Sequence, residues 1–85
     1  MSEHQTIDEA FGLTVEELAE KVGDLQYDEL ALFFNHLSRK MQKDSTADLK
    51  RYRQKLARFL SVIAKTLLSA HAHAQLAWEI AMPYM

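Results

Sequence analysis

The sequence predicts an all-α fold: a small helical bundle with two shorter N-terminal helices and one long C-terminal helix at about 46–81. Three observations lead to it. Glycine occurs twice and proline once in 85 residues, so little interrupts a helix. No run alternates apolar and polar residues with period two. Apolar residues instead recur at helical spacing along most of the chain.

Residues 1–5 are polar and read as disordered. Thr6 to Gly12 forms a helical turn or two, with Thr6 and Glu9 at capping-box spacing and Gly12 as the stop. Thr14 and Glu17 form a second capping box, and Leu13 and Leu18 occupy the positions of a hydrophobic staple. Val15, Leu18, Ala19 and Val22 share one face, which gives a helix over 15–22 ended by Gly23. The next stripe is Leu30, Phe33, Phe34, Leu37 and Met41. Acidic Asp28 and Glu29 precede it and basic Arg39, Lys40 and Lys43 follow, an order that suits the helix dipole. These residues predict a helix over 27–43. Ser45 and Asp48 have capping-box spacing, so a turn is expected at 43–46. From Leu49 through Leu56, Phe59, Leu60, Ile63 and Leu67 to Trp78 and Ala81, one apolar stripe keeps its phase. That continuity predicts a single helix over about 46–81. Residues 1–85 therefore read as one domain.

A chain this short has a thin core. Compact folding would leave roughly 5,200 Å² exposed, and short chains are often stapled by a disulfide, a metal or a partner subunit. Cysteine is absent, which removes the disulfide and fits a reducing, cytoplasmic setting. No apolar leader or spanning segment is evident, so a membrane is not expected as a partner.

A helix over 46–81 is longer than its neighbours can cover. Its second half carries Glu79 as the one charge between Thr66 and Met82. Such a surface calls for burial, either by a fold-back near Ser69 to His73 or by another chain. The expectation is a homodimer with antiparallel long helices, self-associating through Leu67, Leu68, Ala70, Ala74, Trp78 and Ile80; a different protein is the alternative occupant. Charge is segregated as well: residues 1–32 carry nine acidic and one basic residue, and residues 33–85 carry nine basic and three acidic.

No residue pattern points to catalysis. His71 and His73, two apart on a helix, point away from each other and cannot chelate one ion. Nucleophile–base arrangements, glycine-rich phosphate loops and di-iron carboxylate motifs are missing. The chain is expected to be no enzyme and to need no cofactor or metal. Val15 to Gly23 resembles the first helix and turn of a helix-turn-helix domain over nine residues. The next helix departs from that pattern, being long and presenting Leu30, Phe33, Phe34 and Leu37, so DNA binding is not implied. Lys50, Arg51, Arg53 and Arg58, with Tyr52 among them, have the composition of a nucleic-acid contact. The sequence thus supports a non-enzymatic protein–protein interaction module, a homodimeric adaptor, regulator or assembly factor, with a nucleic-acid-binding regulator as the alternative.

Overall fold

The structure, a computed structural model, describes residues 4–84. Four α-helices follow in order: α1 Ile7–Phe11, α2 Val15–Gly23, α3 Tyr27–Lys50 and α4 Gln54–Ala81, with a short 3₁₀ turn at Met82–Tyr84. No strand occurs among the described residues. Of the segment expected to be disordered, residues 1–3 lie outside the described residues, and His4 and Gln5 are exposed and non-helical.

The N-terminal caps form as their residue types dictate. The Glu17 backbone N–H donates to Thr14 Oγ1 at 3.1 Å, and the Thr14 N–H donates to Glu17 Oε1 at 3.0 Å. That backbone donor, and after it the threonine hydroxyl, hold the Glu17 carboxyl below its ordinary value of 4.5. At α1 the Glu9 N–H donates to Thr6 Oγ1 at 3.2 Å, while the Thr6 hydroxyl itself donates to Glu9 Oε1. Gly12 closes α1 at φ 68°, a left-handed conformation that costs glycine little.

The long helix departs from expectation. No turn exists at 43–46; α3 runs through Ser45 and Asp48 to Lys50. The break comes at Arg51 to Arg53, so α4 starts at Gln54 rather than near 46. Its hydrogen bonds are those of a Schellman motif. The Arg53 N–H donates to the Asp48 carbonyl at 2.8 Å, and the Tyr52 N–H to the Leu49 carbonyl at 3.1 Å. The residue in the left-handed position is Tyr52, at φ 62°, where glycine is usual. Without glycine or proline to mark it, the break left no local signal. The Ser45 hydroxyl, expected to cap a helix, instead donates across the turn to the Ala57 carbonyl at 2.6 Å.

α3 and α4 pair as an antiparallel hairpin, and this is the one extensive packing between α-helices among the described residues. α1 and α2 bury no residue. His4 borders a groove near the hairpin tip with Met41, Leu56 and Leu60. The segment from His4 to Gln26 therefore runs back from the tip to the open end, where α3 begins. The radius of gyration is 15.3 Å; a compact 85-residue domain has about 12 Å. The molecule is a slab, 49 by 28 by 13 Å.

Candidate interaction face

Seven of the described residues are buried, and all are small or polar: Ala31, Ala57, Ala64, Ala74, Ser38, Ser45 and Asp48. Ala31, Ser38 and Ser45 are spaced by sevens along α3, and Ala57, Ala64 and His71 by sevens along α4. This is a heptad seam built of small residues and closed by His71. Three interhelical hydrogen bonds run along it. Ser45 donates to the Ala57 carbonyl at 2.6 Å, Ser38 to the Ala64 carbonyl at 2.7 Å, and His71 Nδ1 to the Ala31 carbonyl at 2.7 Å. Each rung moves seven residues up one helix and seven down the other. Side-chain bulk is missing where the helices meet, so their backbones come close enough for a serine hydroxyl to reach the opposite chain. No buried side-chain polar atom among the described residues lacks a partner.

A seam of small residues displaces the large ones. With Ser38 as zero and 100° per residue, Leu30, Phe34, Leu37 and Met41 lie at about 260–320° around α3. With Ala64 as zero, Leu56, Leu60, Ile63 and Leu67 lie at the same angles, about 260–320°, around α4. The helices are antiparallel, so an equal rotation from the seam puts both sets on one side of the slab. The groove shared by Met41, Leu56 and Leu60 confirms this common side. Phe33 and Phe59, five residues before their seam residues, flank the same face and are 44% and 64% exposed; Ile63 is 45% exposed. Phe33 also meets Phe34 edge-on, with ring centroids 6.2 Å apart.

The chain exposes 7063 Å². That exceeds the area of a compact chain of this size by roughly 1,900 Å². No large apolar side chain among the described residues is fully buried. Large apolar side chains exposed together on one side mark interaction surfaces in monomeric proteins.

The six residues expected to self-associate do not form one patch. Leu67 and Ala70 are half-buried on the apolar face. Ala74 is covered within the hairpin, at 7% exposure. Leu68 is exposed on the other side of the seam. Trp78 is half-buried and borders a second groove with Leu32, His71 and Gln75. Ile80 stands free at 71% exposure, past the start of α3. The expected overhang is shorter than a 46–81 helix implied. α3 has 24 residues, and its Ala31 carbonyl is already opposite His71. The uncovered part of α4 is therefore its last two turns.

The break regroups the basic residues. Lys50, Arg51 and Arg53 sit at the hairpin tip around the exposed Tyr52, with Arg58 one turn into α4. Arg53 Nη1 approaches Asp48 Oδ1 at 3.5 Å. His73 Nδ1 hydrogen-bonds back to the Ser69 carbonyl of its own helix at 2.7 Å, while His71 serves the seam. No group of three or more side chains suited to a metal ion occurs among the described residues. No helix among them is long and apolar enough to cross a membrane.

Large apolar stripes at helical spacing read as the core, so the small-residue seam and the outward turn of those stripes are not legible from them. The signal was present as heptads of Ala and Ser and as one apolar spacing used twice, in α3 and again 26 residues on in α4. No family model, curated protein or solved structure matches this chain.

Proposed function

We propose that this protein is a non-enzymatic protein–protein interaction module that works as a homodimer, with the apolar face of the α3–α4 hairpin as its self-association surface. The observation behind this reading is the missing core. The hairpin seam holds Ala, Ser and His, while Phe33, Leu56, Phe59 and Ile63 remain open on one side. Burying about 1,000 Å² of the excess of roughly 1,900 Å² on each of two copies already reaches the range of obligate homodimers, 2,000–5,000 Å² in total. Two hairpins stacked face to face make a four-helix bundle, the usual way for amphipathic hairpins to complete a core. The surfaces left outside the bundle would carry the adaptor, regulator or assembly role, and a cytoplasmic setting fits the cysteine-free composition.

The test is absolute mass by light scattering after size-exclusion chromatography, over a wide concentration range. The wild type should run as a dimer. Phe59→Lys, which places a charge on the face without touching the seam, should raise the dissociation constant at least about tenfold. A monomeric wild type at high micromolar concentration rejects the reading.

A second reading rests on the tip. With Lys50, Arg51 and Arg53 gathered around the exposed Tyr52, and Arg58 behind them, the cluster has the composition of a nucleic-acid contact. Binding to generic DNA or RNA at low salt, falling steeply as salt rises, would support it.

A further inference from the structure

The hairpin is electrically polarised along its 49 Å axis. From Arg39 to Lys65, the half nearer the tip, nine basic residues stand against Asp44 and Asp48, a net of +7 that Asp8 and Glu9 of α1, close behind His4 at the tip groove, reduce to +5. Of those two acids, Asp44 is paired with Lys40 at 2.6 Å and Asp48 faces Arg53 at 3.5 Å. The other end has the opposite sign. From Val15 to Ser38 the chain carries Glu16, Glu17, Glu20, Asp24, Asp28 and Glu29 against Lys21 alone, a net of −5. Glu79 of α4 lies at that end too. α2 belongs there because a three-residue connection, Asp24 to Gln26, ties it to the first turn of α3.

Leu30, Phe33 and Leu37 toward the acidic end and Leu56, Phe59 and Ile63 toward the tip share this side, where His4 borders the groove at the tip, so a second copy can lie on it in two ways. Side by side, the parallel arrangement sets basic tip against basic tip and the acidic ends against each other. Antiparallel, about a twofold axis through the middle of the face, each basic tip meets the partner's acidic end, and both ends are matched at once. Screening at about 0.1 M salt acts over roughly 10 Å, shorter than the hairpin, so the contest is decided locally at each tip. Interfacial charges select orientation in this way even where they add little affinity.

We infer that the partner of the basic hairpin tip is the acidic α2–α3 end of a second copy, which orients the dimer antiparallel. This rests on the dimer reading above, and the experiment separates the two. The chain has no cysteine, so Gln54→Cys, an exposed neutral position at the tip, can be spin-labelled alone in the full-length protein. Antiparallel packing places the two labels at opposite ends, about 36 Å apart, the axial length of the 24-residue α3. A parallel dimer brings them to about 10–20 Å, the spacing of packed helices plus the label arms. The long distance is the expected result. The short one overturns the antiparallel inference and leaves the dimer standing. No dipolar coupling together with a monomer mass overturns the dimer itself.

The charge basis is tested by Lys50→Glu with Arg51→Glu. In low salt these changes should weaken the dimer by about tenfold or more, and near 1 M NaCl the difference from wild type should vanish. An unchanged dissociation constant at low salt overturns the tip contact even if the labels are far apart.

Discussion

Replacing Tyr52 by glycine should make this protein more stable. Tyr52 has φ 62° at the left-handed position of the turn between α3 and α4. A side chain there costs roughly 1–2 kcal/mol relative to the right-handed conformation. Glycine removes that cost but gives up about 0.5–1 kcal/mol of chain entropy on folding. The tyrosine side chain is 90% exposed, so no packing within the chain is lost. The two ranges leave a gain of about 0–1.5 kcal/mol, centred near 0.75, or roughly 3–6 °C in thermal midpoint for a chain of this size. The assay is thermal unfolding followed by circular dichroism at one fixed protein concentration, because a dimer's midpoint depends on concentration. A Tyr52→Ala control keeps the backbone penalty and loses only the side chain; it should stay near wild type. The sign decides between two structures. If residues 46–81 formed one continuous helix, position 52 would lie in its interior, and glycine would destabilise by about 1 kcal/mol relative to alanine. A fall in midpoint for Tyr52→Gly with Tyr52→Ala unchanged would therefore refute the hairpin turn. A fall in both would assign the tyrosine side chain a contact outside its own chain.

The seam makes further demands. Ser38→Ala and Ser45→Ala each remove one interhelical hydrogen bond and should cost about 1 kcal/mol in chemical denaturation, without changing fold. Ala64→Leu, which inserts bulk where the helices meet, should cost more, at least about 1–3 kcal/mol; a neutral outcome would show that the helices do not approach closely there. Thr14→Ala should loosen α2, read as faster amide exchange over residues 15–23, while the hairpin midpoint stays put because α2 buries nothing. The same cap responds to acid. The folded Glu17 carboxyl lies below 4.5 and ionises more readily than in the unfolded chain, so its contribution is complete above that value and is lost as pH falls through the folded one. Exchange protection of α2 should decline in that acidic window, and pH-independent protection would contradict the cap.

What the sequence determined by itself was local. The Thr14–Glu17 capping box needs only four consecutive residues, and it forms where its spacing puts it. Scarce glycine and proline with helical apolar spacing made the chain all-α. The stripes of α3 and α4 and the start of α3 at Tyr27 followed from the same periodicity. Tertiary structure decided where the long helix breaks and which residues form the interior. Both decisions have one cause. A helix over 46–81 and a hairpin broken at Arg51 to Arg53 satisfy the same apolar periodicity, and no strong helix breaker lies nearby. Their difference lies in contacts between distant residues, Ser45 with Ala57, Ser38 with Ala64, and His71 with Ala31. Those contacts exist because Ala31, Ser38 and Ser45 on α3 and Ala57 and Ala64 on α4 recur every seven positions and let the backbones close up, with His71 next in the same register, enough to hold Tyr52 in a strained conformation. With the interior given to alanine and serine, Phe33, Phe59 and Ile63 were turned outward. Large apolar residues at helical spacing mark a face that calls for burial, and only the packing of the two helices decides whether their own chain supplies the cover.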